Sequence, residues 1–366
     1  MNYLDVQMIL LIIVSALLLV CLFFFGVDAC VNIYEWQARI HIGRWNGRTE
    51  WQNAIEKKAK EWLRHAPTVR QTAQDRLILW DIIRGKYRNS TIQTWQDAGL
   101  ILGLGEQDAM DYVKTHKDVF EKEEILPEDL LLAYVLKKNG CLSGQQEERI
   151  LSHFQDVREE GTIHYRPWVK NIRFVDTLGM VLPFLHACGW NDLAKRQLEE
   201  YDQAMLNDVF PAHAYDVERD LPMGVFDWGR GMGWYILALI ETSDMEGHDN
   251  RIIALADALM LHQKPNGGFG CFVFNQQSRM ESSATVLIGL LFLEAFQFTQ
   301  EQQYLIAAQK AEQAIMQATR RDGAVDNCQG DTYGIGYYSQ IFSVMPFVQG
   351  MALKLSKGLD EMSQKG

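Results

Sequence analysis

One segment constrains this chain before any other: the run MILLIIVSALLLVCLFFFG, from Met8 to Gly26, inside a stretch with no charged residue between Asp5 and Asp28. About twenty apolar residues in a helix cross the hydrocarbon core of a bilayer. The competing reading is a cleaved secretory signal, which calls for Lys or Arg before the apolar run and small residues after it. The preceding residues, MNYLDVQ, carry neither Lys nor Arg, and the end of the run is Phe-rich, with only a poor candidate cleavage site near Gly26 to Ala29. Cys21 follows LLLV, which lacks the small residues of a lipoprotein site. The segment therefore reads as an uncleaved single-pass anchor. Arg39, Arg44 and Arg48 follow it, with Lys57, Lys58 and Lys60 close behind. The positive-inside rule then places the rest of the chain in the cytoplasm.

Beyond the anchor more than 300 of the 366 residues remain, and apolar side chains make up 48% of the whole, enough for a large core. The formal net charge of −12 argues against a nucleic-acid partner, because phosphate binding needs a basic stripe. The six cysteines, Cys21, Cys30, Cys141, Cys188, Cys271 and Cys328, form no CxxC pair, and their scatter suits reduced, buried thiols better than a disulfide framework.

From residue 51 the pattern is helical. Apolar stretches, several ending at a glycine, recur roughly every fifty residues, a period of stacked helical hairpins. They are RLILWDIIRG from Arg76, LLLAYVLKKNG from Leu130, VDTLGMVLPFLHACG from Val175, GMGWYILALIE from Gly231, SATVLIGLLFLEAF from Ser283 and YYSQIFSVMPFVQGMALKL from Tyr337. Amphipathic stretches alternate with them, among them EWQNAIEKKAKEWLRH from Glu50 and WNDLAKRQLEEYDQAML from Trp190. Apolar helices alternating with amphipathic ones predict an inner ring wrapped by an outer one: an all-α (α/α)6 toroid behind one N-terminal transmembrane helix. Periodicity alone is equally compatible with an open solenoid. The corresponding division is 1–30 anchor, 31–50 juxtamembrane segment, 51–358 toroid and 359–366 tail.

Polar and aromatic residues gather at the starts of the apolar helices. Asp176 heads FVDTLGMVLPF and reads equally as a helix-start carboxylate favoured by the helix dipole or as a cavity-facing acid. HAYDVERDLPMGVFDWGRGMGWY packs His213, Asp216, Trp228, Arg230 and Trp234 around a glycine-rich turn, where Trp offers a face to a sugar ring and Arg a planar fork to a carboxylate. Glu281, Ser282 and Ser283 are explained by helix capping. NGGFG from Asn266 is a turn, and the tyrosines of DTYGIGYYSQ from Asp331 either face the cavity or pack.

At these clusters the sequence resembles glycoside hydrolase families 88 and 105, the unsaturated glucuronyl and rhamnogalacturonyl hydrolases. FVDTLGMVLPFLHACG, HAYD, WGRGMGWY and ESSATVLIGL stand in the family's order, and the resemblance runs from about Leu130 to the C-terminus. It implies an (α/α)6 barrel and an acidic oligosaccharide substrate with a 4,5-unsaturated uronyl end. It also implies a reaction needing no metal or nicotinamide cofactor. Asp176 falls on the family's acid/base, while His213, Trp228, Arg230 and Trp234 fall on positions lining the sugar site. Two departures stand out. The anchor is not a usual family feature. Members usually also carry an upstream active-site Asp, where this chain reads FEKEEILPEDLLLAYVL, and none of Glu121, Glu123, Glu124 and Asp129 sits in a recognisable motif. The competing function is a non-catalytic, membrane-anchored carbohydrate-binding protein of the same fold. A sugar epimerase on this toroid would want a pair of histidines across the cavity, and His213 is the only clustered one.

Overall fold

A computed structural model describes residues 3–67, 76–84, 94–332 and 334–365. The chain opens with α1 (Tyr3–Arg39), α2 (Arg48–Arg64) and the short α3 (Ile78–Ile83). Then follow α4 (Thr94–Leu104), α5 (Glu106–Thr115), α6 (Pro127–Lys138), α7 (Gly144–His153) and α8 (Gln155–Glu160). The strand β1 (Ile172–Phe174) leads into α9 (Val175–Ala187) and α10 (Asn191–Asp202). Next come β2 (Met205–Leu206), β3 (Phe210–Pro211), β4 (Ala214–Asp216) and β5 (Leu221–Met223). The chain ends through α11 (Gly229–Ile240), α12 (His248–Met260), α13 (Ser282–Thr299), α14 (Gln302–Gln317), β6 (Cys328–Gln329), β7 (Phe342–Ser343) and α15 (Pro346–Lys365).

Helices α4, α6, α9, α11, α13 and α15 pack each against the next, and α15 packs back onto α4, so the ring closes. Closure rules out the open solenoid. The inner helices bury nearly every side chain, as in Leu130–Leu136 of α6 and Ser282–Leu293 of α13. The outer helices bury one stripe, as α2 does with Trp51, Ile55, Ala59 and Trp62. The closing seam depends on small residues: a Cβ at Gly99 would overlap Phe347, and Cβ atoms at Gly103 or Gly350 would overlap the facing backbone. The architecture is the all-α (α/α)6 toroid.

One expected inner helix is displaced. RLILWDIIRG does not enter the ring: its described part forms α3, which packs beside α1, and its final glycine lies outside the described residues. The first inner helix is α4, TWQDAGLILGL, whose glycines allow its close approach to α15. At the other end α15 runs through the segment set apart as 359–366 as far as Lys365.

Helix α1 and helix α13 are both long and apolar enough to cross a membrane. Most of α13 is buried in the ring, whereas the apolar window of α1 is wholly exposed, leaving α1 as the candidate span. Its last turn is bolted to the toroid. Arg39 donates from Nε and Nη2 to the two carboxylate oxygens of Asp326 and from Nη2 to the Phe342 carbonyl. Arg320 pairs with both Glu35 and Asp326 at 2.6 Å. All six cysteines are free thiols, but the expected burial holds for Cys271 and Cys328 alone: Cys141 and Cys188 are half-buried, and Cys21 and Cys30 are exposed because they lie on α1, outside the packed ring.

Candidate active site

The amino-terminal ends of α6, α9, α11 and α13 gather at one mouth, where Glu128, Asp176, Arg230 and Glu281 come together, and a small sheet arranges the side chains there. β1 pairs antiparallel with β4, setting Phe174 opposite Ala214, and β4 pairs with β5. The Val175 amide donates to the His213 carbonyl at 3.1 Å, tying His213 to the start of α9. Gly224, at φ +79°, fits beneath His213, where a Cβ would come within 2.7 Å of the His213 Cβ.

Asp176 sits in the first turn of α9, half-buried, with its Oδ1 fully buried and without a hydrogen-bond partner. Burial pushes its carboxyl up to about 7; the carboxylates of Glu128 and Asp331 push the same way, and the Arg230 guanidinium opposes them. Arg230 lies in the first turn of α11. It donates from Nη2 to the carbonyls of Gln329 and Gly330, and its Nη1 stands 3.6 Å from Asp331 Oδ1. The Arg230 Nε is buried without a partner. A buried acceptor and a buried donor are thus both unsatisfied at one site, an arrangement that a polar ligand completes.

His213, Trp228 and Tyr338 form an aromatic wall, with ring centroids 4.5 Å apart for His213–Trp228, 5.4 Å for His213–Tyr338 and 5.2 Å for Trp228–Tyr338. Burial lowers His213 to about 4, so its imidazole is neutral near pH 7, and its Nδ1 hydrogen-bonds with the Tyr338 hydroxyl at 3.2 Å. Trp228 donates from Nε1 to Gln329 Oε1 at 3.1 Å. The Gln329 amide in turn donates to Glu281 Oε1 at 3.0 Å, while Glu281 Oε2 caps α13 at the Ala284 amide. Glu281 therefore caps its helix, as expected, and also braces the strand that holds Trp228 and Arg230. Asp216, by contrast, shapes a turn, accepting from the amides of Glu218 and Arg219.

Trp234 stands apart from this wall. It lies deeper along α11, packed on Trp95 at 5.4 Å and Phe347 at 5.1 Å, with Gly179 of α9 against it. The upstream acids also separate. Asp129 is buried in a structural tie, accepting from Lys122 Nζ, Thr94 Oγ1 and the Leu126 amide. Glu121, Glu123 and Glu124 are exposed. The upstream carboxylate whose charge bears on Asp176 is Glu128, held by both Nη atoms of Arg166. The signal for it was present in the sequence: Pro127 opens α6, so Glu128 occupies the same first-turn level there as Asp176 does in α9. Among the described residues no group of three or more His, Cys, Asp or Glu side chains could hold a metal ion.

A toroid of six helical hairpins with this mouth is the scaffold of the (α/α)6 glycoside hydrolases. Residues 144–359 match the sequence profile of Glycosyl Hydrolase Family 88, and the chain belongs to that family. A search of the curated proteins returns no match. Among solved structures the chain is similar to a possible member of glycoside hydrolase family 105 from Klebsiella pneumoniae, with a TM-score of 0.63, 18% identity and coverage of 87% of this chain and 95% of that one. It is also similar to an unsaturated glucuronyl hydrolase specific for heparin, with a TM-score of 0.63, 14% identity and coverage of 87% and 99%. A third is the unsaturated glucuronyl hydrolase of Bacillus sp. GL1, with a TM-score of 0.61, 14% identity and coverage of 86% and 97%. At these identities the likeness carries the fold.

Proposed function

We propose that this chain is a membrane-anchored hydrolase that removes a 4,5-unsaturated uronyl residue from the end of an acidic oligosaccharide. The observation that carries this reading is Asp176: a carboxyl with a buried, unpartnered oxygen and a pKa raised to about 7, beside a guanidinium. An acid poised near working pH serves both proton donation and, once ionised, proton removal. In the reaction the Asp176 proton is transferred to C4 of the vinyl ether. Water adds at C5 as the Asp176 carboxylate takes up one of its protons, which restores the acid. The C5 hemiketal so formed opens by breaking the C5–O5 ring bond to a ketone, with its hydroxyl proton passing to O5. The C1 hemiacetal this leaves collapses to an aldehyde, breaking the bond from C1 to the glycosidic oxygen, which takes the O5 proton and leaves as the hydroxyl of the neighbouring sugar.

Arg230 binds the uronate carboxylate in this reading, since its Nε remains free to donate. Trp228, with neutral His213 beside it, offers an apolar face to the sugar ring, and Trp234 supports the floor beneath. Glu128 raises the proton affinity of Asp176 from the neighbouring inner helix. No metal or nicotinamide cofactor is assigned a role.

Residues 1–30 hold the membrane, 31–50 connect, and 51–358 carry the hydrolase, with 359–366 beginning inside the last helix. The positive-inside rule keeps the hydrolase cytoplasmic. The ion pairs of Arg39 and Arg48 with the toroid form on folding and do not alter that count of charges.

The test is to supply purified protein with a panel of polysaccharide-lyase products and follow loss of the enol-ether absorbance. Measurable affinity for acidic glycans without turnover on any of them would replace the enzyme by the carbohydrate-binding alternative.

A further inference from the structure

Helix α3 and the residue before it present apolar side chains that the ring does not use. Leu77, Trp80 and Ile83 are 47%, 48% and 62% exposed. Trp80 and Ile83 stand three apart on one side of this helix, and Leu77 immediately precedes it. Such a patch marks an interaction surface. Its neighbour is the end of the apolar run of α1. Asp28, buried just past that run, accepts the Leu77 amide at 2.6 Å and the Ile78 amide at 2.8 Å, and the Phe24 ring stands 6.4 Å from Trp80. Leu77 is held at φ +55°, a conformation costly for a side-chain-bearing residue, so the placement of α3 is imposed by these contacts.

Phe24 belongs to the last turn of the run that ends at Gly26, where a spanning helix leaves the hydrocarbon. A tryptophan at that depth lies in the interfacial zone where its ring is favoured. We propose that Leu77, Trp80 and Ile83 form a second membrane contact, a foot set into the lipid interface beside the span. The inference rests on reading α1 as a span. With α1 bolted to the toroid at Asp326 and α3 seated on the lipid, the toroid is held at two points and cannot swivel about its anchor.

The experiment uses the full chain reconstituted into phosphatidylcholine–phosphatidylglycerol vesicles, with and without a phosphatidylcholine brominated near the top of its acyl chains. Flotation of the vesicles reports the anchor. The emission of wild type minus that of Trp80→Phe reports Trp80 alone. The expected result is a blue-shifted difference emission that brominated lipid extinguishes and aqueous iodide does not. Ile83→Glu should float equally and lose that quenching. A protein that floats while Trp80 answers to iodide and not to brominated lipid overturns the foot and leaves the anchor standing. A protein that does not float overturns both.

Discussion

Arg39, in the last turn of α1, and the fully buried Asp326, 287 residues away, share two hydrogen bonds of 2.7 and 2.8 Å. The pair joins the end of α1 to the loop just before β6, the strand whose Gln329 holds Trp228 and Arg230.

The first prediction concerns this junction. Asp326→Asn leaves both Arg39 and Arg320 short of their shared carboxylate, and removing one partner of a buried ion pair costs about 3–5 kcal/mol. The variant should melt earlier in detergent. Burial pushes the Asp326 carboxyl up, but its two arginines together outweigh burial and hold it below the ordinary carboxylate range. A group depressed in the folded state contributes stability above its unfolded value, about 3.9, and loses it as pH falls through the folded value. The melting gap between wild type and variant should therefore close only below about pH 4. A gap unchanged at that acidity would show that the carboxylate charge does not carry the effect.

The second prediction is kinetic and thermodynamic together. Asp176→Asn keeps the shape but removes the exchangeable acid, so turnover should fall by about 10²–10⁴-fold. With the wild-type carboxyl near 7, its turnover should decline as pH rises above that value. The stability sign runs the other way from that of Asp326. A carboxyl raised on folding binds its proton more tightly in the native state, so the folded protein loses stability from about pH 4 up to about 7. Asp176→Asn should thus melt level with wild type in acid and at or above it at pH 8. Near-normal turnover would reduce Asp176 to a helix-start residue.

The third prediction isolates Glu128. Glu128→Gln retains a hydrogen bond for Arg166 while removing the like charge that raises Asp176. The alkaline limb of the pH–rate profile should move to lower pH, with little change in the acid-side maximum. An unmoved limb would mean that burial alone tunes the acid.

The fourth prediction separates binding from packing at Arg230. Because Arg230 also ties down the carbonyls of Gln329 and Gly330, Arg230→Ala should lose some stability as well as affinity. Arg230→Lys keeps the charge without the planar fork. Its affinity for acidic sugars should drop by about 1.5–3 kcal/mol, roughly tenfold to a hundredfold, while neutral sugars are unaffected. Titration calorimetry on an acidic and a neutral oligosaccharide distinguishes this from a packing role, which would weaken both alike.

The fifth prediction is topological. Membrane fractionation should recover the intact chain with the bilayer, and a reporter fused after Lys365 should read as cytoplasmic. A soluble form beginning near Ala29 would identify the apolar run as a cleaved signal.

Local pattern alone was enough for the candidate span, the alternation of apolar and amphipathic helices, and the placement of Asp176, Trp228 and Arg230 at helix starts. Each is a property of residues within a few turns of one another, and side-chain periodicity records it directly. The tertiary structure decided what depends on residues far apart in the chain. Closure of the ring requires α4 to meet α15 through Gly99, Gly103 and Gly350, a contact no local pattern encodes. That same closure excluded the apolar RLILWDIIRG, because α4 already fills the inner place and α3 is held at Asp28 instead. It sent Trp234 into the core with Trp95 and Phe347, although it shares a motif with Trp228. It also brought Glu128 within electrostatic range of Asp176, because the charge on one inner helix acts on its neighbour across space rather than along the sequence.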